Sequence, residues 1–160
     1  MNVKVIKTIK GHSPMTECQD FLISEDKGKE ACILNIYPDI EYQTIKGFGG
    51  AFTEAAAVTL DKLSTENREK IIRLYFDKEE GIGYNLGRVH INSCDFSLGN
   101  YACVEEYDDT LETFNINRDK RWVIPMIKDA LKYGDIQIFA SPWSPPAYMK
   151  TNGEMNQVGN

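Results

Sequence analysis

The sequence predicts an α/β fold: a parallel sheet with packed helices, preceded by a short antiparallel β segment. Three observations carry this. Residues 84–91 and 136–140 are strand-like runs, and a helical pattern over 117–131 lies between them. Two further helical stretches, 53–60 and 64–76, come before the first of these strands. Strands alternating with helices make βα units, which assemble into parallel sheets. Residues 1–46 instead carry short β-like runs separated by turn residues.

In chain order, Val3 and Val5 alternate with polar neighbours, and Ile6 and Ile9 extend that run. A polar loop, Ser24 to Glu30, separates it from a second apolar run, Ala31 to Tyr37, which Pro38-Asp39 stops. Tyr42 to Ile45 is a third strand-like run. Gly47-Phe48-Gly49-Gly50 reads as a glycine-rich turn before an alanine-rich helix from Thr53 to Leu60. Ser64 is placed to cap a second helix ending near Phe76, with Ile71, Ile72, Leu74 and Tyr75 as its apolar positions. Gly81 and Gly83 close that unit, and the strand 84–91 follows. After a long loop, 93–115, Asn117 is placed to cap a helix with Val123, Ile127, Ala130 and Leu131 at helical spacing. Pro125 inside it predicts a kink or a later start. Pro142, Pro145 and Pro146 stop the last strand.

Composition narrows the function. The net charge of −6, with acids beside every basic grouping, argues against a nucleic-acid partner. No apolar run approaches the length of a membrane span, and the first residues lack the apolar centre of a signal peptide, so a cytoplasmic protein is expected. Cys18, Cys32, Cys94 and Cys103 form no C-x-x-C pair and accompany only His12 and His90. No metal site is expected from that set, and the cysteines read as reduced thiols.

Three stretches carry candidate chemistry. Side chains alternate along a strand, so Leu86, Arg88, His90 and Asn92 share one face, opposite Gly87, Val89 and Ile91. Val89 and Ile91 are expected beneath helices. Polar residues on the other face fit either a ligand cleft at the strand's carboxyl end, with Asp95 just beyond, or a half-exposed edge strand. Trp143, in Ser141-Pro142-Trp143-Ser144-Pro145-Pro146, is held by prolines. It fits either a platform for a sugar ring or a side chain packed on the core. The glycine run at 47–50 matches neither the dinucleotide nor the P-loop pattern. Glu54 at a helix start is a favourable charge on the helix dipole. His90 near Cys94 has no third group that would complete a nucleophilic site.

KGFGGAFTEAAA at 46–57, GIGYNLGRVHINSCDFSLGNY at 81–101 and FASPWSPPAYMKTNG at 139–153 together resemble glycoside hydrolase family 30. The branch resembled contains glucosylceramidase and bacterial β-glycosidases. The intervening LYFDKEEGIGY and IPMIKDAL agree as well, so the resemblance covers about residues 1–155. It implies a (β/α)8 TIM barrel with a β-sandwich side domain. Residues 1–46 would supply side-domain strands, and 47–160 the first βα units of an incomplete barrel. It implies retaining hydrolysis of a β-linked glycoside without cofactor or metal. By that resemblance Asp95 and Trp143 bind the sugar, Arg88 lies beside the catalytic carboxylates, and Glu54 stands where some members carry Asp. The family's two catalytic glutamates, about 5–5.5 Å apart in a retaining enzyme, follow later strands, so none is expected within these residues. A complete barrel also needs more than roughly 200 residues. Three expectations follow: an inactive fragment, half of a split enzyme completed by a complementary polypeptide, or a sugar-binding module.

Overall fold

The computed structural model describes residues 4–13, 15–18, 25, 27, 28 and 31–159. The chain divides into two compact units, Met1–Gln43 and Thr44–Asn160.

In the first unit, β1 (Val5–Lys7) pairs antiparallel with β2 (Thr16–Cys18), with Val5 opposite Cys18 and Lys7 opposite Thr16. Val3 and part of the expected loop 24–30 lie outside the described residues. Two expected strands do not form. Among the described residues, Ala31–Tyr37 and Tyr42–Ile45 have no strand partner, and Leu34 and Ile36 are 86% and 80% exposed. A strand exists only where its backbone groups meet a neighbour, and apolar content alone does not supply one.

The second unit holds a three-stranded parallel sheet in the order β3 (Gly49–Phe52), β4 (Leu86–Ile91), β5 (Gln137–Pro142). Ala51, Arg88 and Phe139 share one rung; Phe52, Val89 and Ala140 share the next. Strand β3 corrects the expected glycine turn. Gly49 runs so close to β4 that a Cβ there would lie 1.6 Å from the Leu86 carbonyl oxygen. Asn85 fastens the strand's entry, its Oδ1 accepting from Phe48 N–H at 3.1 Å and its Nδ2 donating to Lys46 O at 3.1 Å. Gly49 therefore admits a neighbouring backbone, and the run continues as a strand rather than reversing the chain.

Helices α1 (Glu54–Asp61) and α2 (Thr65–Phe76) begin where local chemistry dictates. Thr53 Oγ1 accepts from Ala56 N–H at 3.2 Å and Ser64 Oγ from Asn67 N–H at 3.3 Å, each satisfying a donor that the first turn leaves unpaired. The third helical region is split into α3 (Asn117–Arg121) and α4 (Val123–Ala130), the break falling at Trp122. Pro125 sits in the first turn of α4, where a missing N–H costs no helical bond. Asn117 does not cap. It is the first residue of α3, its N–H bonded to Asn115 Oδ1 at 3.3 Å.

The helices pack on one face of the sheet around Phe52, Ala57, Ile72, Phe76, Val123, Met126 and Ala130. Phe52 and Phe76 stack with centroids 5.5 Å apart. Arg68 clamps the helices from outside, donating to Asp129 Oδ2 at 2.8 Å and to Asp61 Oδ1 at 3.3 Å. The opposite face and the β5 edge are open, with Phe139 61% exposed.

The two adjacent glycines of β3 separate backbone contact from mere flexibility. Gly49→Ala forces β3 and β4 apart and should cost more than about 2 kcal/mol. Gly50→Ala places its Cβ 3.8 Å from the nearest atom, on the Tyr84 ring, and should change stability by less than about 0.5 kcal/mol. Urea unfolding of the two variants checks this; equal losses would contradict the close approach.

Candidate sugar-binding cleft

With helices on one face, the other face and the carboxyl ends of the parallel strands are left for a ligand. Strand β4 sorts its side chains accordingly. Val89 packs on the helical core, and Gly87 makes room for Phe52, whose Cε2 would lie 2.5 Å from any Cβ added there. Ile91, expected beneath the helices, is instead 39% exposed at the strand end. Arg88 and His90 line a cleft of about 90 Å³ together with Thr53, Asp95, Phe96 and Trp143. Three of the four sequence-predicted site residues, Arg88, Asp95 and Trp143, are thus gathered at one place.

Within the cleft, the Arg88 guanidinium lies 4.4 Å from the Trp143 ring centroid. That is a cation–π contact, which orients the indole without using its outer face. Trp143 is 46% exposed, so it is not a core residue. Among the described residues, neither the Arg88 nor the Asp95 side chain has an ion-pair or hydrogen-bond partner. A guanidinium stacked on a half-exposed indole, beside a carboxylate with no ion-pair partner among the described residues, suits a polyhydroxylated ring: the carboxylate accepts from hydroxyls, and the indole meets C–H faces.

Glu54 is placed differently. It does not line the cleft; it is 1% exposed behind it. Arg118 Nε donates to its Oε1 at 2.7 Å and Nη2 to its Oε2 at 3.1 Å, while Leu98 N–H donates to Oε2 at 2.7 Å. Ala55 N–H, one of the unpaired donors of the first turn of α1, bonds Phe96 O at 3.0 Å. The start of α1 therefore grips the loop on which Asp95 sits. Burial alone would raise the Glu54 carboxyl, but the Arg118 and Leu98 hydrogen bonds and the Arg118 charge outweigh it and hold the group below its ordinary value of 4.5.

The rest of this network was not legible in the sequence. Arg118 lies over the Tyr101 ring, 4.5 Å from its centroid, and Tyr101 O–H donates to Asp119 Oδ1 at 2.8 Å. Burial and the Asp119 carboxylate raise the Tyr101 phenol far above its ordinary range. His90 is 7% exposed, and its Nδ1 donates to Asn92 O at 2.7 Å. The only sequence signal was the charge of Glu54 at the start of an alanine-rich helix, which the helix dipole accounts for without a partner cation. The four cysteines are unpaired. No group of His, Cys, Asp and Glu among the described residues has the arrangement of a metal site, and no described helix is long and apolar enough to cross a membrane.

Parallel βα units with a polar cleft at the strand carboxyl ends make this an α/β domain with its ligand face where such folds carry one. The chain belongs to glycosyl hydrolase family 30, whose TIM-barrel domain matches residues 45–160. It is 39% identical to mouse (Mus musculus) lysosomal acid glucosylceramidase over 132 residues, covering 80% of this chain and 25% of that protein. Among solved structures it is similar to SrfJ from Salmonella typhimurium, with 44% identity and a TM-score of 0.69 over 73% of this chain and 26% of that one. It is also similar to the endo-beta1,6-glucanase BT3312, with 30% identity and a TM-score of 0.65 over 71% of this chain and 25% of that one. The chain spans about a quarter of the length of these relatives.

The buried pair has a pH signature. Because the Glu54 carboxyl titrates below its unfolded value of 4.5, its contribution is fully present above that pH and is lost as pH falls through the folded value. Glu54→Gln should cost about 2 kcal/mol or more at neutral pH. The gap between parent and variant should narrow steadily below about pH 4.5. Denaturant unfolding across pH 3–7 measures it; a gap independent of pH would contradict the ionised pair.

Proposed function

We propose that these residues form the sugar-holding wall of a retaining β-glycosidase acting on a glucosylceramide-type β-glucoside. The observation that carries this is the grouping of unpaired Arg88 and Asp95 with Trp143 in one cleft at the strand carboxyl ends. The similarity to the mouse glucosylceramidase supports the substrate class. In this reading Asp95 accepts hydrogen bonds from sugar hydroxyls and Trp143 receives the ring's C–H face. Arg88 faces the carboxylates that do the chemistry.

Retaining hydrolysis needs two carboxyls about 5–5.5 Å apart across the scissile bond. The cleft supplies one carboxylate, Asp95. The catalytic pair must then come from further βα units, in a longer chain or in a complementary polypeptide. The open β5 edge, with unpaired backbone groups and exposed Phe139, favours a parallel strand added there.

The test is hydrolysis of an aryl β-glucoside by the chain alone and after co-expression with a polypeptide carrying the later βα units of a family member. The chain alone should be inert and the complemented pair active. In that pair Asp95→Ala should lower kcat/KM by about 100-fold or more, and Trp143→Ala by about 10-fold or more. Unchanged kinetics in both variants would refute the assignment. Sugar binding without turnover in the complemented pair would mark a sugar-binding module instead.

A further inference from the structure

Strand β4 ends at Ile91, and Asn92 follows with φ +63°, a left-handed conformation that Asn adopts more readily than most residues. The turn takes the backbone out of the β4–β5 ladder. The last rung is Trp143 N–H donating to Ile91 O at 3.4 Å. The next amide on the β4 side, Ser93 N–H, is turned to Tyr101 O at 2.9 Å.

The Asn92 side chain occupies the vacated place. Its Nδ2 donates to Ser144 O at 3.2 Å, and its Oδ1 accepts from Cys103 N–H at 2.9 Å. Its own carbonyl accepts from His90 Nδ1 at 2.7 Å, which fixes the imidazole with its proton on that nitrogen. One residue thus joins the loop bearing Trp143, the loop bearing Asp95 and the histidine that lines the cleft. On the Trp143 side, Arg88 also meets the Trp143 ring, and Ser144 Oγ donates to Met155 O, in a segment that Lys150 Nζ holds by donating to Met155 O and Gln157 O and that Ser93 Oγ meets at Met155 Sδ. The Asn92 amide is the side-chain hydrogen bond that runs from the end of β4 to Ser144, the residue after Trp143.

We infer that Asn92 is a positioning residue: its side-chain amide carries the β4–β5 pairing one step past the strand end and thereby fixes Trp143 over Arg88. The placement stands on these hydrogen bonds; its consequence for sugar binding rests on the function proposed above.

The chain has two tryptophans, Trp122 and Trp143, so each serves as reporter when the other is replaced by Phe. Asn92→Asp keeps the size, the tolerance for φ > 0 and the acceptor for Cys103 N–H, and replaces the donor to Ser144 O with a charged acceptor that repels it. In the Trp122→Phe background it should raise the acrylamide quenching constant of Trp143 about two-fold or more. In the Trp143→Phe background it should leave Trp122 unchanged. Asn92→Gly, which keeps the backbone conformation and removes both side-chain bonds, should move Trp143 at least as far. Unchanged Trp143 quenching in both variants would overturn the inference. So would an equal rise at both tryptophans, which marks general loosening. Protection of Trp143 by an aryl β-glucoside in the unsubstituted Asn92 background judges the sugar reading separately, because the ligand-free comparison does not depend on it.

Discussion

A single buried carboxylate holds the second unit's ligand face together. Glu54 is 1% exposed, yet it opens α1 and meets both Arg118 and the Leu98 amide. Burying a charge is costly unless it is paired and hydrogen-bonded, and removing one partner leaves the other stranded. The pair therefore forces three separate stretches to meet: the start of α1, the loop after β4, and α3. Arg118 extends the tie through the Tyr101 ring to Asp119. A carboxylate that does not touch the cleft thus determines where Asp95 stands.

The sheet supplies the other half of the geometry. Parallel register sets Ala51, Arg88 and Phe139 side by side on the face away from the helices, while Phe52 and Val89 turn into the core. The alternation that buries one face by hydrophobic packing leaves the other free for polar work at the carboxyl ends. Trp143 enters one residue after β5 ends, stiffened by flanking prolines and tied to Ile91 O. Helix start, strand register and proline loop thereby bring residues from three βα connections within one cleft.

What was legible in the sequence was local, or periodic, or both. Thr53 and Ser64 announce α1 and α2 because a cap needs only its own first turn. Arg88 and Asp95 were legible because strand alternation and position at a strand end are properties of a short segment. The proline-flanked loop offered Trp143 as either a sugar platform or a core side chain, and motif resemblance added the family and the sugar-binding role. What stayed hidden depends on distant partners. Gly49 belongs to a strand only because Leu86 arrives beside it. Ala31–Tyr37 has strand composition and, among the described residues, no neighbour to pair with. Glu54 was recognised, but its role as an anchor is set by Arg118, 64 residues away.

The buried Glu54 carboxylate anchors the Asp95 loop through the Leu98 amide, and that amide therefore reports on the anchor. Leu98 is 60% exposed, yet its N–H donates to Glu54 Oε2 at 2.7 Å. Amide hydrogen exchange resolved at Leu98 should show slow exchange in the parent chain, despite the exposed side chain, and rapid exchange in Arg118→Met. Exchange at the unprotected rate in the parent would contradict the account.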